Sequence, residues 1–90
     1  EKITVYHTPG HSPGCVVLHV GETLLSGDTL FNGGPGATGR KYSDFDVIIE
    51  SLKNVVFTLP EDTKVLPGHG DVTTVGAEAA RIDEYIERGY

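Results

Sequence analysis

One cysteine, Cys15, stands alone in the 90 residues, so no disulfide can close within the chain. No C-x-x-C spacing offers a thiolate metal site either. A lone cysteine in strand-like sequence reads as a small buried residue, and the lack of a disulfide framework fits a reducing, cytoplasmic setting. Basic charge is scarce: seven Lys and Arg stand against thirteen Asp and Glu, a formal net charge of −6. The densest basic cluster is the pair Arg40-Lys41, so nucleic acid is not an expected partner. No apolar run approaches the roughly 20 residues that a membrane helix requires, and no membrane span is expected. Internal repeats and low-complexity tracts are missing too. So is an initiating methionine: the chain opens at Glu1 with Ile3-Thr4-Val5 already strand-like. That reads as a cut end, with any leader lost along with it. What is present, 38% apolar and 22% charged residues, is the balance of an ordinary globular domain.

Three short β-type runs come first, Ile3 to His7, Cys15 to Val20 and Thr23 to Ser26, with Gly21-Glu22 at the position of a tight hairpin turn. In the second run Val16, Leu18 and Val20 share one face, and Cys15, Val17 and His19 share the other. Both faces are apolar, so the strand expects cover on each side, as in a sheet held between helices and a second sheet. The stretch from Phe31 to Tyr42 carries Gly33, Gly34, Gly36 and Gly39 around Pro35 and reads as a loop. Phe45, Ile48, Ile49 and Leu52 then follow the i, i+3, i+4, i+7 rule, which predicts a helix over about 44–54 capped by Ser43 with Asp46. A brief strand, Lys64 to Leu66, ends at Pro67-Gly68. A second helix is predicted over 77–88, with Ala79, Ile82 and Ile86 on one stripe, Glu84 spaced to pair with Arg88, and Gly89 as its C-cap. The expected fold class is α+β, in the order β-β-β-α-β-α.

Chemistry concentrates where strand-like sequence gives way to turns. His11 sits in His7-Thr8-Pro9-Gly10-His11-Ser12-Pro13-Gly14, Asp28 in Ser26-Gly27-Asp28-Thr29-Leu30-Phe31, and His69 in Leu66-Pro67-Gly68-His69-Gly70-Asp71. Loops at strand ends are where sheet scaffolds present reactive groups. Two imidazoles and a carboxylate suit zinc or iron, although on spacing and periodicity alone turn-capping hydrogen bonds are the favoured explanation.

Those three stretches, in this order, resemble the third, fourth and fifth metal-binding motifs of the metallo-β-lactamase superfamily. The resemblance runs through the whole chain. It is nearest to the glyoxalase II-like (hydroxyacylglutathione hydrolase-like) branch, in which Gly-His-Gly-Asp is followed by a segment like Val72 to Glu78. It implies that His11, Asp28 and His69 are metal ligands, with Asp28 bridging two divalent metals, zinc or alternatively iron or manganese, and orienting the catalytic water. It implies the C-terminal half, residues 1–90, of a four-layer αββα sandwich, because the H-x-H-x-D-H motif that supplies the other four ligands is absent. It implies hydrolysis of a small-molecule thioester or similar ester, and an aspartate where β-lactam-cleaving enzymes often carry cysteine argues against antibiotic hydrolysis. Arg40, Lys41 and Tyr42 would contact an anionic substrate. Ser12 and Asp71 would hydrogen-bond ligands from behind, or simply stabilise their turns. The missing ligands would come from the N-terminal half or from a second copy.

His7 cannot pair with His11 on a helix, because Pro9 and Gly10 intervene, so an outlying or surface role is expected for it. His19, mid-strand, is expected to pack. The stretch Gly34 to Lys41 resembles a phosphate-binding G-x-x-x-x-G-K-[ST] loop, but Arg40 stands at the lysine position and Lys41 at the Ser/Thr position. A phosphate-binding loop protein is therefore a minor alternative. A further alternative is a non-catalytic half-domain module that self-associates through its inner sheet.

Overall fold

The computed structural model describes residues 2–39 and 43–90. It has the expected α+β architecture. The strands β1 (Ile3–His7), β2 (Val16–Val20) and β3 (Thr23–Gly27) form an antiparallel meander, and β6 (Lys64–Pro67) returns parallel to β3. The short β7 (Thr73–Thr74) completes a sheet in the order β1-β2-β3-β6-β7. Between β3 and β6 lie the two-residue strands β4 (Leu30–Phe31) and β5 (Gly34–Pro35), helix α1 (Phe45–Asn54) and a 3-10 turn, Val56–Thr58. Helices α2 (Val75–Ala79) and α3 (Ile82–Arg88) follow β7.

Pairing registers assign the two sheet faces. Tyr6 pairs with Val17, and His19 with Leu24, which pairs in turn with Val65. Val17, Leu24 and Val65 are fully buried on this face against Ile48, Ile49, Leu52 and Val56, while Val75 and Tyr85 join the same core from α2 and α3. Cross-strand partners on the opposite face are Ile3 with Val20, Val5 with Leu18, and Leu18 with Leu25. There Ile3 and Val5 are each 59% exposed, Val16 44% and Leu25 40%. His19 is half-buried on the helix-covered face, which agrees with its expected packing role.

Local structure departs from expectation in four places. Asp44, not Ser43, caps α1: its carboxylate accepts the Val47 N–H at 3.2 Å, because the helix begins one residue later than the capping-box spacing implied. The helix expected over 77–88 is two helices. The Arg81 N–H bonds the Glu78 carbonyl only three residues back, and that tightened turn ends α2, which itself starts earlier on a Thr74 cap. The glycine-rich loop contains the β4–β5 hairpin, in which Leu30 pairs with Pro35 and Phe31 with Gly34. Two-residue strands are too short to leave a period in the sequence. Ile86, expected on the apolar stripe, is 41% exposed, and Tyr85 takes the core position of α3 instead. Gly89 closes α3 at φ +85° and Arg88 reaches Glu84 at 3.2 Å, both as expected.

Candidate metal centre

His11, Asp28 and His69 all leave the same sheet edge, because β1, β3 and β6 end there and the β1–β2 loop turns over it. That loop is held in several ways. Its base is closed by the Thr8 N–H donating to the Cys15 carbonyl at 2.9 Å. Its tip lies on α1: the Asp44 N–H donates to the Gly10 carbonyl at 2.7 Å, and the Ser51 hydroxyl donates to the Pro9 carbonyl at 2.7 Å. Gly10 has φ +144° and approaches so closely that a Cβ there would sit 2.3 Å from the Ile48 Cβ. A buried contact between the Thr8 and Thr29 hydroxyls, 3.0 Å long, ties the His11 loop to the turn that carries Asp28.

Gly27, at φ +53°, swings the chain out of β3 so that Asp28 stands clear of the ladder. The Ser26 hydroxyl closes the turn by donating to the Leu30 carbonyl at 2.7 Å. Gly68 donates its N–H to the Gly27 carbonyl at 2.9 Å, and a Cβ on Gly68 would lie 3.4 Å from Asp28 Oδ1. His69 therefore follows directly on a residue seated against Asp28. Its ring rests on Phe31, with centroids 4.6 Å apart.

His11 Nε2 lies 3.8 Å from Asp28 Oδ2, with side chains 22% and 52% exposed. This is too long for a hydrogen bond. Metal–nitrogen and metal–oxygen bonds of about 2.1 Å each would together span it, so one ion fits between the two atoms. The tautomer favours this as well. His11 Nδ1 lies 2.8 Å from the Ala37 carbonyl, and a carbonyl can only accept, so Nδ1 carries the proton and Nε2 offers its lone pair. Among the described residues no three His, Cys, Asp or Glu side chains are grouped to hold one metal ion. The structure thus brings His11 and Asp28 together and carries His69 to the same edge, with its ring on Phe31.

The other expected residues fall as follows. Ser12 bonds Cys15 Sγ at 3.1 Å and accepts backbone N–H groups of its own turn, the turn-stabilising outcome. Asp71 is exposed. Arg40, Lys41 and Tyr42 lie outside the described residues. His7, exposed, donates from Nε2 to the Pro13 carbonyl at 2.7 Å, consistent with its expected surface role. Sequence reasoning passed over Thr8, Thr29 and Ser51, whose hydroxyls bind elements distant in the chain, and the Ala37 carbonyl, which no side-chain pattern could reveal. Thr8 and Thr29 each lie within a candidate motif, and that position was the one available signal. No helix of the described residues is long and apolar enough to cross a membrane.

Residues 1–69 match the family described as the metallo-beta-lactamase superfamily. The chain is 36% identical over 76 residues to the hydroxyacylglutathione hydrolase GloC of Haemophilus influenzae, a match covering 82% of this chain and 36% of that protein. Among solved structures, the BLEG-1 B3 metallo-beta-lactamase superposes with a TM-score of 0.83 at 41% identity, covering 87% of this chain and 38% of that one. TTHA1623, solved in a di-iron-bound form, superposes with a TM-score of 0.80 at 43% identity, covering 86% and 39%. The chain thus spans well under two thirds of each of these proteins.

Proposed function

Because the chain belongs to the metallo-beta-lactamase superfamily, we propose that it supplies the C-terminal half of a metal-dependent hydrolase acting on a thioester or similar ester. In this reading His11, Asp28 and His69 are ligands of two divalent metal ions. The His11–Asp28 pair carries the proposal: an imidazole nitrogen with a free lone pair faces a carboxylate oxygen 3.8 Å away, while the other ring nitrogen is already engaged. Zinc, iron and manganese all bind such a donor set. Two divalent metals held there would lower the pKa of a bound water toward about 7 and would polarise a substrate carbonyl. The chain's own residues do the positioning. Ala37 holds the His11 ring in the metal-binding tautomer, Asp28 has one oxygen for a metal and another to orient the water, and His69 completes the edge. Arg40, Lys41 and Tyr42 are assigned to the anionic end of the substrate. A thioester is favoured by the similarity to a hydroxyacylglutathione hydrolase, and the free Cys15 fits the reducing, cytoplasmic setting of this proposal.

The remaining ligands are assigned to the rest of the family domain, seated on the open face of β1, β2 and β3. The relative's match covers only 36% of its own length, so a complete domain has chain enough for a second layer, and the exposed Ile3, Val5, Val16 and Leu25 offer it an apolar floor.

Elemental analysis combined with thiol release from a hydroxyacylglutathione thioester tests the proposal, on the protein as produced and on its His11→Ala and Asp28→Asn variants. Bound metal and thiol release that both fall in the variants, by more than the about 10- to 100-fold that losing a partner behind a ligand costs, support it. A metal-free, self-associated protein that releases no thiol would instead establish the non-catalytic module. Cleavage of a β-lactam but not of the thioester would replace the substrate, an outcome made relevant by the 41% identity to the BLEG-1 B3 metallo-beta-lactamase.

A further inference from the structure

Glu78 is the one acidic side chain buried among the described residues, at 2% exposure. Burying a carboxylate is costly unless hydrogen bonds replace its water. Three donors do so here: the Gly33 N–H at 3.1 Å and the Tyr85 hydroxyl reach Oε1, and the Thr73 hydroxyl reaches Oε2 at 2.7 Å. Arg88, stacked 5.1 Å over the Tyr85 ring, donates from Nη2 to the Gly33 carbonyl at 3.0 Å. Both backbone polar groups of Gly33 are thereby held by side chains of α2 and α3. Gly33 has φ +104°, and a Cβ on Gly34 would come within 2.7 Å of the Arg88 guanidinium, so the hairpin tip is fitted closely to this cluster.

The other side of the same segment faces the candidate ligands. Phe31, in β4, carries the His69 ring. Gly36 packs so tightly on the Asp28 carbonyl that a Cβ would overlap it at 1.7 Å, and its N–H donates to the Thr29 carbonyl at 3.0 Å. The Ala37 carbonyl fixes His11 Nδ1. One stretch, residues 30–37, therefore touches all three candidate ligand positions and is anchored at its far end by a buried carboxylate.

We propose that Glu78 is a positioning residue: together with Tyr85 and Arg88 it fixes the Gly33 end of the hairpin, and the hairpin in turn sets the ring orientations of His11 and His69. The coupling itself requires no metal. Its consequence for metal binding rests on the ligand assignment of the preceding section.

Side-chain ring signals of His11 and His69, read by long-range proton–nitrogen NMR, test it in the full chain. In Glu78→Ala the His69 ring protons should lose the shift imposed by Phe31, and the His11 tautomer signature should become averaged. Glu78→Gln keeps an acceptor for the Gly33 N–H and should restore both. Tyr85→Phe, which leaves Glu78 in place, gives a partial effect and serves if Glu78→Ala fails to fold. Val75→Ala, a core truncation on the same helix, should lower the melting temperature yet leave the ring signals where they are. Unchanged histidine signals in the Glu78 and Tyr85 variants overturn the proposal, as does an equal disturbance by Val75→Ala. Zinc titration followed on the same signals then separates the two claims. A roughly 10- to 100-fold weaker zinc response in Glu78→Ala supports both. Ring signals that move with Glu78 while wild type shows no zinc response uphold the coupling and remove the ligand assignment.

Discussion

The two faces of the sheet are built from the same kinds of side chain and end in opposite conditions. On one face Val17, Leu24 and Val65 are fully buried beneath α1, α2 and α3, while on the other Ile3, Val5, Val16 and Leu25 remain 40–59% exposed. Strand composition does not separate them, since aliphatic residues alternate onto both. Helix supply does. Each helix brings one apolar stripe, and the stripes gather on a single face. The uncovered aliphatic face is the surface on which the proposed second layer would sit. The candidate ligands stand where β1, β3 and β6 end, on loops held by contacts to α1 and the β4–β5 hairpin.

Neighbouring residues on β3 give the largest test of this contrast. Leu24→Ala should lower unfolding free energy by about 2–5 kcal/mol, since it empties a filled core position, whereas Leu25→Ala, one residue on, should cost less than about 1 kcal/mol in the unassociated chain. Urea unfolding of both variants measures the difference, and equal losses would break the comparison.

Association comes next in size. At micromolar concentration the wild-type chain should sediment as a species heavier than one copy, and Val5→Asp with Leu25→Asp should weaken that association at least about tenfold, or 1.4 kcal/mol, with the monomer still folded. A strictly monomeric wild type would show that a second copy of this chain does not cover the open face.

On the covered side, Asp44→Ala removes the cap that orients α1 beneath the His11 loop and should cost about 1 kcal/mol in thermal unfolding. Asp44→Ser should recover most of it.

The smallest effect is alkaline. Burial, reinforced by the hydroxyl's bond to Glu78 and by that carboxylate's charge, raises the Tyr85 phenol well above its ordinary value. The folded state then holds this proton more tightly than the unfolded state. Its contribution is complete below about pH 10, where the unfolded phenol begins to titrate, and is lost as pH climbs further. The melting temperature of wild type should therefore fall more steeply above pH 10 than that of Tyr85→Phe, and parallel curves would remove the effect.

Regular elements were legible because periodicity belongs to the chain itself. Ile3–His7 was read with its observed limits, the Gly21-Glu22 turn joins β2 to β3 as its spacing implied, and the stripe Phe45, Ile48, Ile49, Leu52 placed α1. Apolar alternation on both faces of β2 also implied a demand for two-sided cover. The ordered glycine, histidine and aspartate motifs marked the candidate ligands by resemblance, and the family match agrees with that resemblance. Tertiary structure alone decided what surrounds them: the Ala37 carbonyl that selects the His11 tautomer, the Thr8–Thr29 contact, and the buried Glu78 that grips a hairpin 45 residues away in sequence. Such contacts join segments that share no local pattern. A hydroxyl or carboxylate in the sequence looks the same whether water or a distant backbone amide will satisfy it, and only the packed chain removes the water.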